Sequence, residues 1–253
     1  MLNIYYYRFD IINKPMPEFS PSLLKSAEVI MKSNSSLKGL KYMQSGAKRW
    51  LDTVVTFSTL PAVLPAIGLF GLLVLRQDGH YPFFKITEIN PYTGKQTTIL
   101  KIRSMTTNAP LEEEDFIGDS GSYAQAKRLK HDPRVTPLGH KLRRYSLDEL
   151  PQLWQIFHDR SSSLVGPRYF RSGDINSISL EKDQPYAEWV ERYKNGQILF
   201  GLTGLAQILG RALLSISDRL WLDLYYLDRM SFIADLKIVG LTTTAILSAK
   251  GSK

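Results

Sequence analysis

Asp148 and Glu149 stand side by side in the stretch RRYSLDELPQLW, between Arg143 and Arg144 on one side and an apolar run ending at Trp154 on the other. An ionised aspartate can attack phosphorus and form an acyl phosphate, and a neighbouring glutamate can hold Mg2+, whose preferred ligands are carboxylates and phosphate oxygens. Arg134, Lys141, Arg143 and Arg144 precede the pair, and Arg168 of LVGPR follows it. Guanidinium forks match phosphate oxygens in a bidentate way. This combination suits phosphoryl transfer, where catalysis is mostly positioning and charge neutralisation. The same residues also admit a plainer reading. Ser146-x-x-Glu149 has the spacing of a capping box, in which both carboxylates merely complement the start of a helix. Pro151 constrains that reading, because proline is comfortable at the first helical position but not a turn and a half inside. A helix therefore begins at Pro151 or bends there, with the carboxylates at or near its N-terminus. Leu147, Leu150, Leu153 and Phe157 are expected to face the core.

Other elements must position this cluster. Residues 53–75, TVVTFSTLPAVLPAIGLFGLLVL, form an uncharged run long enough to cross a bilayer core as a helix. Pro61 and Pro65 sit mid-run, and each removes a backbone donor. Lys48 and Arg49 flank one end and Arg76 the other, and cationic residues are normally kept on the cytoplasmic side. A helix-break-helix hairpin dipping into one leaflet satisfies both features, provided protein groups serve the backbone opened at the break. A proline-kinked spanning helix is the alternative. Between Lys85 and Met105, alternating β-branched and polar residues around NPYTGK predict a hairpin with its turn near Pro91 to Gly94. Residues 106–130 follow as a loop-rich insertion. YAEWVERYK and the stretch from Ser215 to Leu247 have helical apolar spacing. Trp221, Tyr225 and Tyr226 suit either a membrane-interface helix or ordinary core packing.

The 253-residue chain is 43% hydrophobic, enough for one ordinary domain with extra segments. It has no cysteine, which excludes disulfide scaffolds, thiol nucleophiles and thiolate metal sites. Its four histidines are too scattered for a zinc site. A net charge of +8 predicts anionic partners: phosphates, acidic lipid or nucleic acid. Nucleic acid is set aside, because no basic-aromatic recognition motif appears and the long uncharged run has no use in a soluble binder. The opening MLNIYYYRFDIINKP carries Arg8 and Asp10 where a secretory signal would be apolar. Residues 1–45 are expected to form a polar, weakly helical lead-in, and those beyond 248 a short tail.

In the order KRWLD, LKIRSM, DPRVTPLGHKLRRYSLDELPQL, VGPR, GLTGLAQILGR and LDLYYLDRMSFIADLKI, the chain resembles the bacterial sugar transferases, the monotopic polyprenyl-phosphate phosphoglycosyl transferases, over roughly residues 46–245. The resemblance implies a mainly helical α/β fold. A re-entrant membrane helix hairpin at 46–76 would carry a small cytosol-facing catalytic domain, 77–248, with interfacial amphipathic helices, at the inner membrane. It implies transfer of a sugar 1-phosphate from a UDP-sugar to polyprenyl phosphate, with Mg2+ as cofactor. By position Asp148 would be the nucleophile that forms a covalent phosphosugar intermediate and releases UMP, and Glu149 the Mg2+ ligand. Arg143 would anchor the break at Pro65, the hairpin proline, and Lys101, Arg103, Arg168 and Arg211 would contact phosphate. Several positions depart from the family pattern. Thr87, Ile89 and Pro91 replace a Gln-x-Arg-x-Gly, Tyr169 follows VGPR where proline is usual, DRSSS stands for Gly-Asp-Met-Ser, and Leu64 precedes the hairpin proline in place of serine. Leu199, Phe200, Leu205 and Leu209 replace Arg, Pro, Trp and Asn. These changes motivate a second reading, a non-catalytic membrane scaffold descended from the same family.

Overall fold

The computed structural model describes residues 21–31, 36–89, 96–107, 132–158, 162–170, 185–210 and 214–247. Within them helices dominate. The first two, α1 (Pro21–Met31) and α2 (Ser36–Met43), fall in the stretch expected to be a polar lead-in, yet Ala27, Ile30 and Met31 are buried in the main core. The lead-in from Pro21 onward is thus part of the fold, because α1 turns one apolar face inward. Residues 1–20 lie outside the described residues.

Helix α3 (Gly46–Asp78) runs for 33 residues. Ser45 caps its start by accepting a hydrogen bond from the Lys48 N–H, and Gly79, at φ 71°, ends it by donating its N–H to the Leu75 carbonyl. Pro61 and Pro65 are both inside the helix, which continues through them. The expected helix-break-helix interruption is therefore not seen, and the element extends to Asp78 rather than Arg76. The hydroxyls of Thr53, Thr56, Ser58 and Thr59 bond back to carbonyls three or four residues earlier, so the apolar run carries no hydroxyl in search of a partner. The most apolar window has a mean hydropathy of 2.0 and is only 22% buried within the protein, unlike an ordinary core helix. Phe57, Leu64, Leu69, Leu72 and Leu73 are exposed along it.

The predicted hairpin forms from β1 (Phe83–Ile89) and β2 (Gln96–Ile102), paired antiparallel with Ile86 opposite Ile99. Its expected turn, Pro91 to Gly94, lies outside the described residues, as do most of the 106–130 insertion and the tail after Leu247. Helix α4 (Pro137–Arg144) follows, capped by Thr136. It approaches the end of the hairpin so closely that a Cβ on Gly139 would sit 1.9 Å from the Ser104 carbonyl oxygen. A single 3-10 turn (Leu147–Glu149) leads into α5 (Pro151–His158). The remaining elements are β3 (Ser163–Val165), α6 (Tyr186–Lys194), β4 (Gly201–Thr203), α7 (Leu205–Leu209), α8 (Ile216–Arg229) and α9 (Phe232–Leu247). β3 and β4 pair in parallel, Ser163 with Gly201 and Val165 with Thr203.

Two apolar clusters result. The larger gathers α1, α6, α8 and α9 around Trp189, Leu220, Leu224, Tyr226, Leu227 and Ile238. Trp221 and Tyr226 are buried and Tyr225 is half-buried against the same cluster, so these side chains of α8 pack in the core. The smaller joins Val74 of α3 to Ile102 and Leu142, with Phe70, Phe83, Leu138 and Leu147 against it.

Lys48, which flanks the apolar run in the sequence, has a side chain that is only 1% exposed. Its ammonium lies 2.5 Å from Asp235 of α9 and donates to the Val165 carbonyl and the Tyr226 hydroxyl. Tyr42 and Tyr226 both donate to the same Asp235 carboxylate. One turn on, Asp52 accepts from the Ser163 hydroxyl and the Leu164 N–H. Removing one partner of a buried ion pair typically costs roughly 3–5 kcal/mol, because the other charge remains desolvated. Lys48→Met and Asp235→Leu are each expected to lower unfolding free energy by about that amount. The double variant should recover part of the loss, as read by denaturant unfolding of detergent-purified protein.

Candidate active site

The carboxylate pair owes its geometry to Ser146 and Pro151. Ser146 adopts φ 55° and ψ 26°, the left-handed region that side chains other than glycine rarely occupy, and its hydroxyl makes no cap hydrogen bond. The capping box is therefore not formed. α5 begins at Pro151, and Asp148 and Glu149 occupy the 3-10 turn before it, closed by the Leu150 N–H bonding to the Leu147 carbonyl. A left-handed non-glycine residue costs energy, so the kink at Ser146 is held by its surroundings. On α5 the buried positions are Pro151, Gln152, Gln155 and Ile156. The expected face of Leu147, Leu150, Leu153 and Phe157 is half-buried, with Leu147 packed against the smaller apolar cluster and Leu153 against the larger.

The two carboxylates have different environments. Asp148 is 7% exposed, and burial pushes its pKa above the ordinary carboxylate value. Lys101 opposes that shift, Glu149 reinforces it and Arg143 opposes it. Glu149 is more open and accepts from the Lys101 ammonium at 2.6 Å, with Arg168 at 3.9 Å. Lys101 comes from β2, Arg168 from the loop after β3, and the pair from the turn before α5. Three separate elements thus converge on one acidic turn.

The loop carrying Arg168 is shaped by close backbone approach. A Cβ on Gly166 would lie 2.3 Å from the Leu199 carbonyl oxygen, and one on Gly201 would lie 2.1 Å from the Gly166 nitrogen. Gly166 also donates its N–H to Thr203. VGPR is therefore clamped against β4 by contacts that exclude side chains.

Other sequence candidates are placed elsewhere. Arg103 forms a two-pronged ion pair with Asp78 at the end of α3, at 2.5 and 2.6 Å, and donates to the carbonyls of Tyr81, His80 and Met105. It clasps the helix end to the hairpin. Arg143, expected to anchor the break at Pro65, donates to the Ser104 hydroxyl at 2.8 Å and so links α4 to the strand end. Its charge still acts on Asp148. Arg134 pairs with Asp132 through two hydrogen bonds. Lys141 and Arg144 are exposed, and Arg211 lies outside the described residues.

Sequence reasoning missed Lys48, Asp52, Asp235 and Gln155. KRWLD did carry a signal for the first two, since charges four apart share one helix face. Asp223 was missed too. It is wholly buried near Arg168 and Arg219, and burial raises its pKa well above the usual range.

Among the described residues no group of three or more histidine and carboxylate side chains surrounds a common point. Mg2+ does not need one. It usually keeps several waters and is bound through one or two carboxylates plus substrate phosphates, and Glu149, the more open carboxylate of the turn, fits that donor set.

A family model described as bacterial sugar transferase matches residues 43–249. The UDP-galactose-lipid carrier transferase of Erwinia amylovora is 32% identical over 216 residues, spanning 84% of this chain and 43% of that protein. The exopolysaccharide production protein ExoY of Sinorhizobium fredii is 35% identical over 210 residues, 81% of this chain and 88% of that protein. The undecaprenyl-phosphate galactose phosphotransferase of Salmonella typhimurium is 27% identical over 245 residues. The chain spans less than half the length of the Erwinia and Salmonella relatives.

Because the folded pKa of Asp148 lies above its unfolded value, the protonated form is favoured in the folded state. That stability is fully present below the unfolded pKa and is lost as pH rises through the folded one. Asp148→Asn is therefore expected to melt at a higher temperature than the parent at neutral pH. The gap should close as pH falls towards the ordinary carboxylate range, which thermal scans across pH will show.

Proposed function

The chain belongs to the bacterial sugar transferase family, and from that premise we propose that it moves a sugar 1-phosphate from a UDP-sugar to polyprenyl phosphate, with Asp148 as nucleophile. The observation that carries the reading is the contrast within one turn: a desolvated aspartate beside a glutamate held by Lys101 and faced by Arg168. Desolvation strips water from the Asp148 carboxylate, and the nearby cations keep an ionised fraction available.

In the proposed first step an Asp148 oxygen attacks the sugar-bearing phosphorus. An O–P bond forms to the carboxylate, the bridging P–O bond breaks, and UMP leaves with the bonding electron pair. A phosphate oxygen of polyprenyl phosphate then attacks the same phosphorus, frees the carboxylate and leaves the sugar on a polyprenyl diphosphate. Lys101 and Arg168 are positioned to neutralise phosphate charge as it shifts between oxygens. Glu149, with substrate phosphate oxygens, would hold Mg2+, which supplies Lewis-acid polarisation of the phosphoryl group when bound. The names of the Erwinia and Salmonella relatives support a lipid-linked acceptor, and that of ExoY supports exopolysaccharide assembly.

Membrane attachment through α3, with the catalytic elements on the cytoplasmic face of the inner membrane, belongs to the same proposal. Its topology is re-entrant. Lys48 and Asp52 at one end of α3 bind β3 and α9, while Val74 and Asp78 at the other end dock on the hairpin. α5 touches α3, β2 and β3, which ties both ends to one body. A helix of this length spans roughly 50 Å if straight. Both ends on one body then favour a dip into a single leaflet over a crossing, with α3 bending at Pro61 and Pro65 while it stays helical and its exposed apolar residues in lipid.

Two experiments test these points. Intact-protein mass spectrometry with Mg2+ and UDP-sugars, omitting polyprenyl phosphate, should show a mass increase of one sugar phosphate that Asp148→Asn abolishes. Absence of any adduct in the parent protein across sugar donors would favour the scaffold reading. Since the chain has no cysteine, Gly46→Cys and His80→Cys provide single labels at the two ends of α3. An impermeant thiol reagent should reach both from the cytoplasmic side. Labelling from opposite sides would indicate a spanning helix.

A further inference from the structure

Antiparallel pairing with β1 leaves the other edge of β2 with backbone groups of its own to satisfy. At Thr98 and Leu100 those groups face α5, and one side chain meets both. The Gln155 carboxamide accepts the Leu100 N–H at 3.0 Å through Oε1 and donates through Nε2 to the Thr98 carbonyl. A neighbouring residue in a third strand would contact the same two groups, two residues apart, with its own C=O and N–H. Gln155 thus substitutes a side-chain amide for the N–H and C=O of one residue of a missing strand, and it is 6% exposed.

Position decides the consequence. Gln155 lies on the helix that begins directly after the Asp148-Glu149 turn, and Lys101 follows Leu100 on the strand it holds. The ammonium that meets Glu149 at 2.6 Å and favours ionised Asp148 is therefore delivered by a strand whose distance from the acidic turn is set by one amide. Ile99 is buried on the face of β2 that also carries Lys101, and Ile102 is buried on the opposite face, so both faces of the strand meet apolar neighbours. Apolar contacts of this kind tolerate small sliding, whereas paired donor and acceptor bonds specify one placement along the strand.

We propose that Gln155 is a positioning residue for the transfer reaction, holding β2 in the register that places Lys101 against Glu149 and beside Asp148. The proposal rests on Asp148 as the nucleophile for its kinetic consequences, while its geometric claim concerns Lys101 alone. Gln155→Leu retains most of the side-chain volume and deletes both hydrogen bonds.

The test uses the full-length protein in detergent, with two readouts. The first is competitive amine labelling at Lys101, quantified by peptide mass spectrometry. Lys101 should be protected in the parent protein and label severalfold faster in Gln155→Leu and in Glu149→Gln, a control that removes the charge it meets. The second is the rate of sugar-phosphate adduct formation at one fixed pH. Gln155→Leu should lower it roughly 10- to 100-fold, as loss of an outer-shell partner commonly does. Adding Gln155→Leu to Lys101→Met should cost little more than Lys101→Met alone. A role confined to stability would lower the melting temperature of Gln155→Leu while leaving Lys101 labelling unchanged below the transition. That result, or additive losses in the double variant, overturns the proposal. If the parent forms no adduct with any UDP-sugar, the transferase reading fails, and the labelling comparison still decides whether Gln155 holds Lys101.

Discussion

The buried ammonium of Lys48 is the joint on which the remaining architecture depends. It joins the first turn of α3 to Asp235 on α9, to Tyr226 on α8 and to the Val165 carbonyl at the end of β3. A desolvated charge tolerates little displacement from its partners, since moving away exposes it to an apolar surround without compensation. The entry of α3 is thereby tied to the strand that leads into Gly166, Pro167 and Arg168. Asp52, one turn later, holds the same strand through Ser163 and Leu164. The helix with the most exposed apolar surface and the loop that supplies a cation to Glu149 are consequently parts of one rigid connection.

The acidic turn is held from the opposite direction. Gly139 lets α4 lie against Ser104, Arg143 joins that contact through the Ser104 hydroxyl, and Ser146 in a left-handed conformation turns the chain into the 3-10 turn. Strain at such a residue persists only where neighbours over-determine it. Here it allows Asp148 to point inward while Glu149 stays within reach of Lys101 and Arg168. Adjacent carboxylates with separated environments are what a division of labour between nucleophile and ligand requires.

Legibility in the sequence followed the range of the interactions. The hairpin of β1 and β2, the start of α5 at Pro151 and the membrane-length apolar run all follow from neighbours within a few residues, and each was readable. The capping box at Ser146 was a local pattern that tertiary constraint overrode. α1 and α2 were underestimated because polar residues share their sequence with the buried face of Ala27, Ile30 and Met31. Lys48 read only as a cation flanking an apolar run, and a partner 187 residues away accounts for its burial. Arg103 and Arg143 looked like phosphate contacts and a helix anchor, since a guanidinium does not announce which carboxylate or hydroxyl will meet it. The clasp to Asp78 and the bond to Ser104 show that both also join elements.

By itself the sequence determined the chemical inventory: two adjacent carboxylates, a surplus of cations, no thiol, a helix start or bend at Pro151 and an uncharged run of bilayer length. These depend on residue type and on backbone geometry over a few positions, which sequence carries directly. Only the tertiary structure decided which charges face the acidic turn, how deeply Asp148 is withdrawn from water, that α3 continues through its two prolines, and that a glutamine amide occupies the open edge of β2. Electrostatic environment and hydrogen-bond pairing are properties of positions in space, and residues distant along the chain acquire them only when packing brings their elements together.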